Sequence, residues 1–247
     1  MTNKETMHTL SGPSQFPTTR WTLVVAAGDP HRKEARAALV SLCENYWYPL
    51  YAYLRRRGYP ADQAQDLTQE FFVRLLEGRY LDRADPEKGR FRSFILTSLK
   101  FFVADLEDRD RAQKRGGGTV LSIEFSSGED RYQREPAHDE TPESIFERRW
   151  ALALIDRVVE RLRSEFVQHG RPEHFERLKV LLLGQSDAPY SALAREINTS
   201  EGALKVAIHR LRKRYRELFR QEIAATVADP ADVEAELRFL AAVLTKK

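Results

Sequence analysis

YSALAREINTSEGALKVAIHR, residues 190–210, has the layout of two short helices joined by a tight turn. Asn198 stands at the turn, where Asn is the residue best able, after Gly, to adopt a left-handed backbone conformation. Ser200 suits the N-cap of the second helix, because its hydroxyl can accept a hydrogen bond from a free backbone N–H group. Small Ala194 lets the second helix approach the first closely. The stretch therefore predicts a helix-turn-helix.

The second helix of this stretch combines an apolar seam with a basic surface. Its apolar side carries Leu204, Ala207, Ile208, Leu211 and Tyr215. Its opposite side carries Lys205, Val206, His209, Arg210, Lys213 and Arg216. A helix fits the major groove of DNA, where Lys and Arg neutralise phosphates and reach guanine edges. A solvated surface helix is the alternative, but the turn, the cap and the small residue favour nucleic-acid binding.

The composition is typical of a folded protein that does not enter a membrane. Of the 247 residues, 42% are hydrophobic and 31% are charged, and the length suffices for one large domain or two small ones. No apolar run approaches the roughly 20 residues that a spanning helix needs, and the first residues lack the apolar core of a signal peptide. We therefore expect a cytoplasmic protein. Cys43 is the only cysteine, which excludes an internal disulfide, and its apolar neighbours predict a buried thiol.

Charge is divided unevenly along the chain, although the net charge is only +3. Residues 201–220 hold seven Lys and Arg against two carboxylates, whereas residues 124–147 hold eight carboxylates against two Arg. Residues 116–142 are rich in Gly, Ser, Asp and Glu, which predicts a flexible acidic linker. Within it, the run VLSIEF at 120–125 is expected to dock as a strand or an extended piece.

Apolar residues recur at spacings of three and four through almost the whole chain, which predicts an all-α fold. The predicted helices cover residues 21–27, 31–46, 49–57, 62–77, 91–112, 143–168, 172–183, 190–197, 201–225 and 231–244. Two small helical domains follow from this pattern, together with a short C-terminal helix. The predicted division is an N-terminal extension at 1–30, a first domain at 31–115, the linker at 116–142, a second domain at 143–225 and a C-terminal helical extension at 226–247.

The predicted helix 91–112 carries two aromatic side chains away from its apolar face. Phe94 and Phe101 are seven residues apart, and Lys100 adjoins them. Exposed rings beside cations are typical of proteins that bind single-stranded nucleic acid, because a ring stacks on any unpaired base. The alternative is that both rings pack against a neighbouring helix.

The preceding helix, 62–77, is apolar around most of its circumference and has one narrow polar strip. The strip consists of Gln63, Asp66, Glu70 and Arg74. It is either a solvent-facing surface with a Glu70–Arg74 ion pair or the contact edge for a partner protein.

Taken together, these segments resemble a known family. DLTQEFFVRLL at 66–76, followed by FRSFILTSLKFFVADLEDR at 91–109, resembles region two of bacterial sigma factors, especially the extracytoplasmic-function (ECF) branch of the sigma-70 family. YSALAREINTSEGALKVAIHRLRKR at 190–214 resembles their region four. The resemblance covers about residues 46–115 and 146–219, in the order that the family has.

The resemblance implies a dissociable specificity subunit of RNA polymerase, with no enzymatic activity, metal or cofactor of its own. Its expected partners are promoter DNA and core RNA polymerase, through the clamp helices of the largest subunit and the flap region. An anti-sigma factor as a further partner is left open. The residues that the resemblance assigns to the polymerase contact are Asp66, Gln69, Glu70 and Arg74.

The resemblance also assigns the promoter contacts. Those expected to melt the promoter and hold its single strand are Arg92, Phe94, Lys100 and Phe101. Those expected to read the distal promoter element are Ser200, Lys205, Val206, Ala207, His209, Arg210 and Lys213.

Three positions depart from the family pattern. Members often have a serine and an arginine where this chain has Val206 and Ala207, so its distal sequence preference should differ and include apolar contact with thymine methyl groups. An asparagine commonly follows the basic residue of the melting helix, whereas this chain has Phe101. Base stacking is therefore expected there in place of hydrogen bonding.

Two other function classes remain as alternatives. The first is a DNA-binding regulator that uses only the helix-turn-helix, with the first domain as a dimerisation or ligand-binding module. The second is an enzyme, which the sequence disfavours. Its six histidines lack metal-ligand spacing, and no glycine-rich phosphate loop or Ser/His/Asp order is present.

Overall fold

The computed structural model describes residues 33–77, 90–112, 128–133, 140–182, 184, 190–227 and 229–245. All regular secondary structure among these residues is helical, which confirms the predicted all-α fold. The helices are α1 (Lys33–Arg56), α2 (Ala61–Leu76), α3 (Phe91–Ala112), α4 (Gly128–Gln133), α5 (Pro142–Gln168), α6 (Pro172–Leu182), α7 (Tyr190–Glu196), α8 (Glu201–Ala224) and α9 (Val233–Thr245). The predicted helix 21–27, the run 120–125 and the side chain of Cys43 lie outside the described part of the chain.

Helix α1 corrects one prediction. The two helices expected at 31–46 and 49–57 form a single helix that continues through Pro49. Proline removes a backbone hydrogen bond and costs about 3 kcal/mol inside a helix. Every residue from 46 to 54 is buried, so tertiary packing holds this segment helical against the local preference.

The C-terminal helix starts slightly differently from the prediction. Residues Pro230–Asp232 form a 3-10 turn, and the α-helix α9 begins after it. The Asp229 carboxylate caps the turn by accepting a hydrogen bond from the Ala231 N–H group at 2.8 Å. The remaining predicted helix boundaries agree with the structure within one or two residues.

The buried side chains form two apolar clusters that share two long helices. The first cluster is rich in aromatic residues and joins α1, α2 and α3 to the N-terminal half of α5, the end of α8 and α9. The second joins the C-terminal half of α5 to α6, α7 and most of α8. Both α5 and α8 therefore contribute side chains to each cluster. The predicted domain boundaries remain a prediction, to which the structure adds that the clusters are connected through continuous helices.

Within the predicted linker, residues 128–133 pack against α1. Residues 128–133 form the short helix α4, whose Glu129 carboxylate accepts hydrogen bonds from the Tyr51 hydroxyl and from Arg55, at 3.0 Å from Nε and 2.9 Å from Nη2. Burial disfavours the charged carboxylate, but these hydrogen bonds outweigh it and lower the pKa of Glu129. Composition could not reveal this contact, because it depends on partners more than 70 residues away.

Gly128 is required for the close approach of α4 to α1. A Cβ atom at this position would lie 2.9 Å from Cζ3 of the Trp47 indole, well inside van der Waals contact. The indole is itself buried and stacked on Tyr51, with ring centroids 5.2 Å apart, so it has little room to move.

Gly128→Ala should displace α4 and lower the free energy of unfolding by about 1–2 kcal/mol, the usual cost of overpacking. Urea unfolding followed by tryptophan fluorescence measures this. Gly202→Ala is the matched control, because nothing lies within 4 Å of a Cβ atom there, and it should be neutral or stabilising by up to about 1 kcal/mol. An unchanged urea midpoint for Gly128→Ala, with the α4 amides still protected from exchange, would contradict the close packing.

Candidate nucleic-acid interface

The turn between α7 and α8 has the local geometry that the sequence predicts. Asn198 adopts a left-handed backbone with φ of 52°, and the Thr199 N–H group donates to the Ala194 carbonyl at 2.9 Å. Ser200 is the N-cap of α8, and its hydroxyl accepts a hydrogen bond from the Ala203 N–H group at 3.1 Å. Both local predictions, the left-handed Asn198 and the Ser200 cap, are confirmed.

Helix α8 separates an apolar seam from an exposed face. Leu204, Ile208 and Leu211 are buried in the second cluster. Val206 on the opposite side is 50% exposed. Of the residues predicted to read the distal element, Ala207 is half-buried and the others are exposed, namely Ser200, Lys205, Val206, His209, Arg210 and Lys213.

The cations of α8 fall into two groups. Arg214 is held by Glu165 of α5 through two hydrogen bonds, at 2.6 Å from Nη2 and 2.9 Å from Nε, and these raise the pKa of the guanidinium. Arg212 donates to the Leu181 carbonyl at the end of α6 at 3.1 Å. These two side chains fix α8 to its neighbours, so the basic count of the sequence overstates the charge available for a ligand.

The second group remains accessible. Lys205 contacts Glu201 one turn earlier at 2.6 Å, and this hydrogen bond raises the pKa of the lysine. Both side chains are largely exposed, and ion pairs of this kind contribute little and exchange readily. Arg210 and Lys213 have no carboxylate partner within the part of the chain that the structure describes. The exposed face of α8 therefore offers cations to an external anion.

Helix α3 places its four predicted single-strand residues in different surroundings. Phe101 is 57% exposed. Phe94 is half-buried and packs against Phe91, with ring centroids 5.9 Å apart. Lys100 is partly exposed and pairs with Glu143 of α5 at 2.6 Å, a hydrogen bond that lowers the pKa of that carboxyl. The structure thus leaves Phe101 as the accessible ring of this helix.

Arg92, the fourth of these residues, lies inside the protein. Its side chain is 4% exposed and pairs with Glu236 of α9, which is itself 1% exposed. Arg90 also reaches Glu236, with Nε 2.8 Å from Oε2. The Arg92 guanidinium also lies 4.0 Å from the centroid of the Phe239 ring and 5.2 Å from that of Trp150. In this arrangement Arg92 does not share a surface with Phe101.

The buried ion pair was missed from the sequence, although a signal was present. Glu236 lies between Val233 and Leu240 at helical spacing, on the apolar face of α9. A carboxylate on such a face must find a cation or a hydrogen-bond donor, because burying an unpaired charge is very costly. The sequence does not say which of its 40 Lys and Arg residues supplies that charge.

The polar strip of α2 is partly engaged within the protein. The predicted Glu70–Arg74 ion pair is confirmed, with 2.5 Å between Oε1 and Nη2. Arg74 also lies 3.8 Å from Asp105 of α3 and 4.9 Å from the centroid of the Phe102 ring, so it joins α2 to α3. Asp66 of the strip is exposed, whereas the neighbouring Gln69, also predicted as a polymerase contact, is only 8% exposed. The strip therefore presents Asp66 and Glu70 outward.

The described residues show neither a metal-binding cluster nor a membrane-spanning helix. Among the described residues, no group of three or more His, Cys, Asp or Glu side chains is arranged to hold a metal ion. Within the same part of the chain, no helix combines the length and the apolar character needed to cross a bilayer.

Comparison with known proteins identifies one segment of the chain. Residues 43–111 match the family model of sigma-70 region 2. Comparison with curated proteins and with solved structures gives no significant match. The matched segment contains all of α2 and most of α3, the helices that carry the polar strip and Phe101. This segment of the chain is therefore similar to region 2 of sigma-70 factors.

Proposed function

We propose that this protein is an RNA polymerase sigma factor of the ECF type, which directs core polymerase to specific promoters and assists strand opening. The observation that carries the proposal is the combination, in one chain, of a segment matching sigma-70 region 2 with the exposed basic face of α8. A promoter-specificity subunit needs both a polymerase-binding part and a part that recognises duplex DNA.

Helix α2 is the proposed contact with the clamp helices of the polymerase largest subunit. Asp66 and Glu70 supply the outward carboxylates of this edge. Arg74 acts by fixing α2 against α3 through Asp105 and Phe102, and Gln69 acts from a mostly buried position. The second cluster of helices would contact the flap region.

Helix α3 is the proposed single-strand contact. An exposed ring such as Phe101 stacks on an unpaired base, and Lys100 beside it can exchange Glu143 for a phosphate. Unstacking a base costs a few kcal/mol, which binding of the extruded strand can offset. Strand opening then needs no ATP.

Helix α8 is the proposed reader of the distal element. Lys205, Arg210 and Lys213 would contact phosphates or guanine edges. Val206 suits a thymine methyl group, because an exposed apolar side chain gains by being covered there.

One experiment separates this function from that of a regulator that uses only α7 and α8. The purified chain is mixed with core polymerase that lacks any sigma factor, and transcription is started on a library of bacterial genomic fragments. A sigma factor directs initiation at defined start sites, whereas a regulator gives none until a resident sigma factor is added. Failure to bind core polymerase would overturn the proposal.

Lys205→Ala combined with Arg210→Ala should weaken binding of the polymerase complex to a promoter fragment from that library. The logarithm of the association constant decreases linearly with the logarithm of the salt concentration. The magnitude of this slope should be smaller by about 2 in the variant, roughly one unit for each phosphate that it no longer neutralises. Filter binding at several salt concentrations measures this. Arg161→Ala with Arg163→Ala removes equal charge from α5 and should leave the slope unchanged. Equal slopes for the two double variants would show that α8 is not the reading helix.

Phe101→Ala should reduce strand opening, because base stacking on a ring contributes about 1–3 kcal/mol. Permanganate reactivity of unpaired thymines measures opening, and closed-complex binding should be preserved. The free energy of unfolding should change by less than about 0.5 kcal/mol, since the ring is on the surface. Val167→Ala, at another exposed apolar position, is the control. Normal opening together with reduced stability would mean that Phe101 serves packing.

A further inference from the structure

The C-terminal helix α9 contacts the start of α3 through a carboxylate, that of Glu236, and an aromatic ring, that of Phe239. Glu236 places its carboxylate between Arg90 and Arg92, and Phe239 places its ring 4.0 Å from the Arg92 guanidinium. A nucleotide strand offers the same two groups, a phosphate anion and a flat aromatic base, and arginine binds both well. The contact therefore has the chemistry of an arginine engaged by nucleic acid.

The Glu236 carboxylate does not satisfy every hydrogen-bond donor of the Arg92 guanidinium. Within the described part of the chain, the buried Nε of Arg92 has no hydrogen-bond acceptor. A buried donor without an acceptor is costly. Oε2 of Glu236 is also buried without a hydrogen-bond partner among the described residues, so the carboxylate and the guanidinium are imperfectly matched in geometry. An exchange of Glu236 for a phosphate would let this N–H group be satisfied.

Helix α9 is held less firmly than the helices beneath it. Its buried apolar side chains are Val233 and Leu240, and Leu237, Phe239 and Leu244 are only partly buried, whereas the longer α5 buries seven apolar residues along its length. Its other ion pair, Glu234 with Arg220, is on the surface and contributes little. Terminal helices that bury few apolar side chains are the parts of a protein that open first.

We propose that α9 takes the place of the promoter strand in the free protein. Its Glu236 and Phe239 then occupy Arg90 and Arg92, and α9 leaves α3 when single-stranded DNA binds. The inference rests on the proposed function, and Arg92 is among the residues that the family resemblance assigns to the strand. It accounts for the burial of a residue that the sequence places in the strand-binding set. If the Arg92–Glu236 ion pair serves only to stabilise the fold, α9 should stay in place when DNA binds.

The first test compares variants of the full chain. Affinity for a fluorescein-labelled single strand of about 20 nucleotides, long enough for several stacked bases, is measured by fluorescence anisotropy. Glu236→Gln and Phe239→Ala should each tighten binding by about fivefold or more, because they remove the internal competitor. Glu234→Gln is the matched control on the same helix and should bind as the wild type does. Folded Glu236→Gln and Phe239→Ala chains with wild-type affinity would overturn the proposal.

The second test needs no variant, so it remains decisive if the substitutions unfold the chain. Hydrogen exchange of the wild-type chain is compared with and without the same oligonucleotide. The amides of α9 should exchange faster when the strand is bound, while those of α5 stay protected. Unchanged exchange of α9 at saturating oligonucleotide would contradict the proposal.

Failure of this inference can be told apart from failure of the proposed function. If the chain directs core polymerase to start sites but α9 exchange does not change in the open complex, the inference fails alone. If the chain directs no initiation and neither the wild type nor any variant binds the single strand, both fail.

Discussion

The packing of α1 against the N-terminal half of α5 is the contact on which the rest of the structure depends. Trp150 of α5 is fully buried in the same cluster as Tyr46 and Leu50 of α1. Because α5 is continuous to Gln168, its far end carries Val158 and Leu162 into the second cluster. The helices proposed to bind polymerase and those proposed to read duplex DNA therefore pack against the same continuous helix, α5.

The cations of this protein divide into those that hold the fold and those that face outward. Arg55, Arg92 and Arg214 each engage a carboxylate from a distant part of the chain, and each such pair ties two helices together. Lys205 and Arg210 are exposed and can meet a polyanion. The distinction matters for the proposed function, since only the second group could bind nucleic acid without disturbing the fold.

The candidate site was predictable where local chemistry determines it. The left-handed Asn198, the Ser200 cap and the exposed face of α8 follow from residue type and helical spacing. The surroundings of the residues expected to hold the single strand were less predictable, because Arg92 and Phe101 occupy one helix but have opposite exposure. Spacing identifies the side of a helix on which a residue lies, but not which neighbouring helix covers that side.

The sequence by itself determined the all-α class, the helix boundaries within one or two residues for most helices, and the turn and cap before α8. These depend on hydrophobic period and on residues that bond within a few positions of themselves. Only the tertiary structure decided that α1 continues through Pro49, that Glu129 docks part of the linker and that Glu236 covers Arg92. Each of these depends on burial against residues far away in the chain, which local pattern does not encode.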